Sequence, residues 1–220
     1  MKYKVAEIFE SINGEGMKAG ELSVFIRFTG CNLCCSYCDT KWANGSDAPY
    51  LEMGLEEIVK KAQGYQVKNV TVTGGEPLLQ NGVGVLLKGL SEKGFYVEIE
   101  TNGSISLQKF AKELPDVVFT MDYKLPGSGM EQQMDKGNFA VLQKKDTVKF
   151  VVSDRVDLKC AFAVSQEYSL GSKCSILLSP VFGAIEPEEI VAFMKENHWT
   201  DARLQVQLHK VIWDPQKRGV

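Results

Sequence analysis

Four cysteines within eight positions are the feature of this sequence that most constrains its fold and its chemistry. Cys31, Cys34, Cys35 and Cys38 lie in residues 30–40, GCNLCCSYCDT, and three of them have C-x3-C-x2-C spacing. Thiols this dense are typical of an iron–sulfur cluster, a zinc site or disulfides. The rest of the sequence has to decide among these three uses.

The composition is that of an ordinary globular chain. It has 220 residues, 44% of them hydrophobic, so we expect one domain over residues 1–220 with a sizeable core. The net charge of −3 gives no reason to expect nucleic acid or a membrane as a partner. No apolar stretch approaches the roughly 20 residues that cross a bilayer. We therefore expect a cytoplasmic protein with reduced thiols, which makes disulfides the least favoured of the three uses.

Short β-branched runs alternate with helical patterns along the chain. The predicted strands are residues 23–29, 69–73, 96–100, 117–123, 147–152, 175–179 and 203–208. The segments with helical spacing of apolar residues are 55–62, 85–93, 107–114, 154–164 and 186–197. This alternation predicts an α/β fold with parallel core strands, either an open sheet or a complete or partial barrel.

Polar or glycine-rich stretches follow five of the predicted strands. They are GCNLCCSYCDT, GGEP, TNG, KLPGSG and PVFG. Ligands of parallel α/β folds bind beyond the carboxyl ends of the strands, so we expect all five stretches on one rim. Residues 10–20, before the first predicted strand, and the tail 209–220 lie outside this pattern.

The spacing of the cysteines favours a cluster over zinc. Three thiolates leave one iron of a four-iron cluster without a protein ligand, open to a small chelating molecule. A closed zinc site usually takes two well-separated C-x-x-C pairs. The pattern alone allows four cysteine ligands, but the adjacent Cys34 and Cys35 side chains diverge, so we expect Cys34 to face away.

Two motifs resemble the radical S-adenosylmethionine (SAM) superfamily. The loop GCNLCCSYC resembles its cluster loop, with Cys31, Cys35 and Cys38 as ligands, and GGEP at 74–77 resembles its SAM-binding motif. The stretches SINGEG, CDT, TGGEPLLQ, ETNG and QLHK further resemble the 7-carboxy-7-deazaguanine synthase family, over most of the chain. The resemblance is weakest over 126–145 and 159–173. It implies a modified or partial (β/α)6 radical SAM barrel.

The resemblance also implies a function. Enzymes of this family convert 6-carboxy-5,6,7,8-tetrahydropterin to 7-carboxy-7-deazaguanine by radical ring contraction with loss of ammonia, in queuosine and deazapurine biosynthesis. The implied cofactors are a 4Fe–4S cluster, SAM and Mg²⁺, and no catalytic side chain is implied beyond the cluster and the SAM radical. The implied partners are a flavodoxin- or ferredoxin-type reductant and a second copy in a homodimer. Two alternatives stay open: another small radical SAM enzyme, such as an activase of glycyl-radical enzymes, and a non-catalytic zinc or electron-transfer protein.

The residues that the resemblance assigns to SAM lie at strand ends. Gly74 and Gly75 would let the backbone approach SAM. Glu76 would accept a hydrogen bond from its ammonium group, unless it only caps a helix. For Lys124 the alternative is a solvated surface position. The other assigned residues are Tyr37, Cys38, Asp39, Asp122, Tyr123, Ser179, Pro180, Val181 and Phe182.

The pterin and magnesium residues are assigned in the same way. Arg27 would offer its planar fork to the pterin carboxylate, unless it points outward to solvent. The Thr40 hydroxyl is a suitable ligand for Mg²⁺, although Thr also serves as a helix N-cap. The terminal carboxylate of Val220 would reach the guanidine-like edge of the pterin. The remaining residues assigned to the pterin are Ile12, Asn13, Gly14, Glu15, Thr73 and His209.

Overall fold

A nine-stranded, mostly parallel sheet carries the fold. The computed structural model describes residues 1–215 and 217–220, and within them the strands are β1 (Lys2–Ile12), β2 (Leu22–Phe28), β3 (Leu51–Gly54), β4 (Asn69–Gly74), β5 (Tyr96–Thr101), β6 (Val118–Tyr123), β7 (Thr147–Val152), β8 (Ser175–Pro180) and β9 (Ala202–Leu204). Their order in the sheet is β3-β1-β2-β4-β5-β6-β7-β8-β9. All pairs from β2 to β9 are parallel, and β1 pairs antiparallel with both β2 and β3.

Helices connect most of the parallel strands. They are α1 (Lys41–Asn44), α2 (Leu55–Gly64), α3 (Val83–Glu92), α4 (Gln108–Glu113), α5 (Arg155–Glu167), α6 (Leu170–Lys173), α7 (Pro187–Glu196) and α8 (Leu208–Ile212). Between β6 and β7 the chain instead forms three short 3₁₀ turns over 126–140. The prediction of a modified, partial (β/α)6 barrel is confirmed. Among the described residues, no helix is both long and apolar enough to cross a membrane.

The two faces of the sheet differ in polarity. One face consists of fully buried apolar side chains such as Ile26, Val72 and Phe150, which belong to one core with helix residues such as Leu86 and Leu158. The residues between them on each strand face the interior of the partial barrel and are largely polar. Because successive side chains of a strand point to opposite faces, one strand serves the core and the site at once.

The sequence analysis missed two strands, β1 and β3, and extended the last strand too far. Residues 10–12 belong to β1, whose alternation is broken by a register shift between Val5 and Glu7. The edge strand β3 was not predicted, because its four residues carry no alternating pattern. The predicted strand at 203–208 ends at Leu204, and His209 lies on α8 rather than at a strand end.

Candidate functional site

The cysteine loop lies at the carboxyl ends of the parallel strands. The backbone N–H of Glu76, after β4, donates to Gly30 O at 2.9 Å. The Ser36 N–H donates to Ser128 O, after β6, at 3.1 Å. The hydroxyl of Tyr37 donates to Val151 O on β7 at 3.3 Å. The stretches after β4 and β6 therefore contact the cysteine loop directly, as expected for one shared rim.

Three of the loop cysteines act on one another electrostatically. Burial raises the pKa of the Cys31 and Cys35 thiols, and repulsion from Cys38 raises both further. Cys34, in contrast, is exposed. Metal binding at the three inner sulfurs would displace their protons, as it does at other thiolate sites.

Nitrogen donors surround these sulfur atoms. Leu33 N lies 3.4 Å from Cys31 Sγ and Asn102 Nδ2 3.7 Å from the same sulfur. Asn44 Nδ2 lies 3.4 Å from Cys38 Sγ, and the Asn44 Oδ1 atom is buried without a partner among the described residues. Hydrogen bonds to the sulfurs are a normal part of iron–sulfur sites. These donors are of the kind that a 4Fe–4S cluster held by three cysteines would use, although among the described residues no three His, Cys, Asp or Glu side chains are already arranged to hold a metal ion.

The two glycines of GGEP pack against the cysteine loop itself. A Cβ atom on Gly75 would lie 2.1 Å from Gly30 O, and one on Gly74 would lie 2.3 Å from Phe28 O. Gly74 also has a φ of +146°, which side chains rarely adopt. We expected the glycines for a close approach to SAM. The structure gives a nearer reason, since they let β4 pass the backbone of β2.

The carboxylate of Glu76 is fully buried and accepts several hydrogen bonds. It accepts from Leu78 N at 2.9 Å, which caps a 3₁₀ turn, from Asn102 N at 2.6 Å and from the Thr101 hydroxyl at 3.0 Å. Burial raises its pKa against these hydrogen bonds. The capping role that the sequence left as an alternative is thus present, and Glu76 joins the turn after β4 to the end of β5.

Asp122 and Lys124, at the end of β6, form a mostly buried ion pair. Lys124 Nζ lies 2.9 Å from Asp122 Oδ2, and the lysine side chain is only 12% exposed, so the solvated alternative is wrong. Burial would lower the pKa of Lys124, but attraction to Asp122 and Cys35 outweighs it and the pKa is raised. Asp122 Oδ1 is buried without a partner among the described residues. The Tyr123 side chain packs on the opposite face, against Phe139 and Phe150.

Glu15 lies in the barrel interior, where its carboxylate is ion-paired and hydrogen-bonded to three side chains. It accepts from Ser179 Oγ at 2.7 Å, from Lys149 Nζ at 3.1 Å and from Gln207 Nε2 at 3.1 Å. Burial would raise its pKa, but the Lys149 charge and these hydrogen bonds lower it to about 2. Glu15 is therefore a buried carboxylate that stays ionised.

Arg27 and Thr73 are register partners on β2 and β4, and both face the interior. Arg27 Nε donates to Glu7 Oε1 on β1 at 2.8 Å, and the arginine side chain is 17% exposed. The outward, solvated alternative for Arg27 is therefore wrong. Thr73 Oγ1 donates to Glu100 Oε2 at 2.7 Å.

The segment after β9 closes the gap between β9 and β1. The Gln205 amide bonds both Gly16 N, at 2.7 Å, and Gly16 O, at 2.9 Å. Leu208 N donates to Gly14 O at 3.1 Å, and His209 packs so closely on Gly14 that a Cβ there would lie 2.4 Å from Nδ1. We name this set of contacts the seam. It brings together the SINGEG and QLHK stretches of the sequence.

The outer residues of the site meet around Lys210. Its Nζ lies 3.6 Å from Asp39 Oδ2 and 5.7 Å from the centre of the exposed Phe182 ring. Phe182 follows Pro180, where β8 ends, and Val181, whose N–H donates to β7 at Val152 O. The cysteine loop and the segment after β8 therefore both lie against α8 at Lys210.

Thr40 and the chain end have distinct surroundings. Thr40 precedes α1 but makes no side-chain cap, and its Oγ1 lies 3.6 Å from Cys38 Sγ.

The remaining residues assigned to the pterin lie near β1 and the chain end. Asn13 is buried and accepts from Thr71 Oγ1 at 3.0 Å. A cavity of about 450 Å³ is lined by Glu10, Ser11, Ile12, Leu22, Ile212, Trp213, Gly219 and Val220. Two residues assigned to the pterin, Ile12 and Val220, thus meet there.

Several interior residues were missed from the sequence. They are Lys149 and Glu98, both nearly fully buried, together with Glu100, Gln205 and Gln207. For Lys149, Glu98 and Glu100 the signal in the sequence is a charged residue inside an apolar run, as in YVEIE and TVKFVV. A charge at such a position faces either solvent or a polar interior, and the run alone does not decide which.

Known proteins are similar to this chain over its whole length. The sequence model of the radical SAM superfamily matches residues 25–122. A Clostridium acetobutylicum protein named 7-carboxy-7-deazaguanine synthase is 57% identical over 221 residues, covering all of both chains. A Chlorobaculum tepidum protein of the same name is 36% identical, covering 98% of this chain and 96% of its own. The crystal structure of QueE from Escherichia coli superposes with a TM-score of 0.76 at 23% identity, over 94% of each chain.

Proposed function

The chain belongs to the 7-carboxy-7-deazaguanine synthase family of the radical SAM superfamily, and we propose that its polar barrel interior is where it carries out that reaction. It is an enzyme that converts 6-carboxy-5,6,7,8-tetrahydropterin to 7-carboxy-7-deazaguanine. The observation that carries this assignment is 57% identity over all of both chains to a protein of that name. The proposal treats residues 1–220 as one domain, because a single sheet carries every part of the site.

Cys31, Cys35 and Cys38 hold the 4Fe–4S cluster at the carboxyl ends of the strands. When bound, the cluster and SAM supply one-electron cleavage of SAM and abstraction of a hydrogen atom from the pterin. The amides of Asn44 and Asn102 donate toward two of the sulfurs and hold them in place.

The residues at the ends of β4, β6 and β8, next to the cysteine loop, would hold SAM. The unpartnered Asp122 Oδ1 is an acceptor for a donor of the ligand, and Lys124 is a counter-charge for a carboxylate. Glu76 has two hydrogen-bonded oxygens already, so its part is to shape the turn and add negative charge near the SAM ammonium. The other parts of the chain proposed to contact SAM are the backbone of Tyr123 and residues 37–39, 74–75 and 179–182.

The pterin lies further inside the barrel. The Glu7 contact uses Arg27 Nε, so a bidentate contact with the pterin carboxylate would use the two terminal nitrogens. Thr73, on the strand next to Arg27, lies on the same face. Glu15 stays ionised and is an acceptor for the amino edge of the pterin. The other residues proposed on this side are Ile12, Asn13, Gly14, His209 and Val220.

Mg²⁺ binds at Thr40, next to the last cluster cysteine. The hydroxyl makes no helix cap, and this supports a ligand role. We further propose a flavodoxin- or ferredoxin-type electron donor, a homodimer and a cytoplasmic location. These rest on the family, together with the finding that the described residues contain no membrane-crossing helix.

Anaerobic turnover tests the proposal. The reconstituted enzyme is incubated with SAM, a reductant, Mg²⁺ and the carboxytetrahydropterin, and the products are separated by mass. We expect 7-carboxy-7-deazaguanine together with 5′-deoxyadenosine. Formation of 5′-deoxyadenosine without the deazaguanine would overturn the substrate assignment while leaving the radical SAM chemistry in place.

A further inference from the structure

Lys149 lies at the centre of the barrel interior between two carboxylates. Its Nζ is 3.1 Å from Glu15 Oε2 and 3.8 Å from Asp122 Oδ2, and its side chain is 9% exposed. Asp122 in turn binds Lys124 at 2.9 Å. The four residues form a buried chain of alternating charge, Lys124, Asp122, Lys149 and Glu15.

The charges of this chain depend on each other. Burial by itself would lower the pKa of Lys149, but Glu15 and Asp122 raise it well above its ordinary value. Lys149 in the same way keeps the pKa of Glu15 low against the effect of burial. Without the ammonium group, two buried carboxylates would face each other, and one of them would take up a proton or move apart.

The two carboxylates belong to different parts of the site. Asp122 ends β6, beside the cysteine loop, whereas Glu15 lies on the loop after β1 and next to the seam residue Gly16. The Glu15 loop is held to the parallel strands through Lys149 and Ser179 and to the C-terminal segment through Gln207. A shift of Glu15 would therefore also shift Gly14, against which His209 packs.

We propose that Lys149 is a positioning residue that joins the pterin side of the site, at Glu15, to the SAM side, at Asp122. This inference rests on the proposed function. Two properties then depend on this one ammonium group and its ion pairs. One is pterin affinity, and the other is the fraction of SAM cleavage that leads to deazaguanine. Lys149 touches neither reactant in this role and acts through the two carboxylates.

Four variants and a control separate positioning from mere charge balance. Lys149→Met removes the charge at similar size and Lys149→Arg keeps it. Glu15→Gln alone and Lys149→Met with Glu15→Gln show whether Lys149 acts through Glu15. Lys88→Met, on the exposed face of α3, is the matched control. Binding of the fluorescent oxidised 6-carboxypterin is measured without turnover, and the ratio of 5′-deoxyadenosine to deazaguanine is measured with it.

We expect Lys149→Met to weaken pterin binding by about tenfold or more and to raise the ratio of 5′-deoxyadenosine to product. Lys149→Arg should recover part of both, and Lys88→Met should match the parent enzyme. If Lys149→Met does not fold, the double variant decides. The double variant should recover thermal stability, and it should bind the pterin no more weakly than Glu15→Gln alone, because Lys149 acts through Glu15.

Two results would overturn the inference. One is a folded Lys149→Met enzyme with unchanged pterin affinity and unchanged product ratio. The other is a double variant that binds the pterin markedly more weakly than Glu15→Gln alone, since Lys149 would then act by a route other than Glu15. Failure of the proposed function is distinguishable, because the parent enzyme itself would then make 5′-deoxyadenosine without deazaguanine.

Discussion

At the scale of single residues, neighbouring cysteines in one loop have opposite environments. Cys35 is 8% exposed and interacts electrostatically with Cys31, Cys38 and Lys124. Cys34 is exposed to solvent. Adjacent side chains of a loop that holds a cluster point in different directions, so proximity in sequence does not make Cys34 a ligand.

Alanine variants of this pair test the parsing of the loop. Cys34→Ala should retain about four irons per chain after anaerobic reconstitution, whereas Cys35→Ala should lose most of the bound iron because one of three ligands is gone. Iron content and visible absorbance measure the result. Equal loss in both variants would mean that Cys34 is a ligand.

The three cysteines proposed as ligands could be singled out from sequence because their spacing is local. The role of Lys149 could not be predicted from sequence, because it depends on Glu15, which lies 134 positions away. In the sequence, the run TVKFVV has the pattern of a buried strand that contains one charged residue. Only the fold shows that the charge faces a carboxylate rather than solvent.

At the scale of elements, the turn after β4 and the cysteine loop form one packed unit. Gly75 has Gly30 O and Asn44 Oδ1 against the side where its Cβ would lie, and Glu76 N donates to Gly30 O. The GGEP motif therefore supports the cluster loop mechanically, whatever it also contributes to SAM. The motif was predictable from sequence, but this reason for it was not, because it needs the distance between two strands.

A methyl group at Gly75 should therefore disturb the cluster loop. Gly75→Ala should lower the free energy of unfolding by about 1–3 kcal/mol, as overpacking commonly does, and should also reduce retained iron. Denaturant unfolding and iron analysis measure the two effects. Gly64→Ala is the control, since nothing lies within 4 Å of its added Cβ at the end of α2. Equal behaviour of the two variants would show that the Gly75 contact has no energetic weight.

At the scale of the whole molecule, the buried carboxylates make stability depend on pH in two directions. The Glu15 pKa is lowered from 4.5 to about 2, so its contribution is complete above pH 4.5 and is lost as the pH falls toward 2. The Glu98 pKa is raised to about 7, chiefly by burial. The folded state binds the Glu98 proton more tightly than the unfolded state, so ionising Glu98 costs stability as the pH rises from 4.5 through 7.

Glu98→Gln should consequently stabilise the protein in mild alkali. At pH 8 we expect the free energy of unfolding to rise by about 1–3 kcal/mol, and we expect the gain to shrink toward zero near pH 4.5. Denaturant unfolding at both pH values measures it. Glu113→Gln, at an exposed position on α4, is the control. A gain that is the same at both pH values would contradict an ionisation effect.

Most of the parallel core could be predicted because apolar runs and helical spacing are local properties. The first strand was missed because its register shift between Val5 and Glu7 breaks the alternation. The last predicted strand extended too far. The Gln205 N–H still donates to Leu178 O on β8, but pairing stops there and the Gln205 side chain bonds Gly16, a contact that no local pattern predicts.

The seam has a consequence for the order in which the molecule can be completed. Gly16 and Gln205 are 189 residues apart, and Glu15 and Gln207 are 192 apart. During synthesis, the early loop therefore waits for nearly the whole sequence before its partners emerge, and such distant contacts are slow to form. A nascent chain can therefore contain its cysteine loop and most of its strands while the seam that closes the barrel interior has not yet formed. The cysteine loop, which would hold the cluster, is thus synthesised long before the contacts that close the barrel on the pterin side are possible.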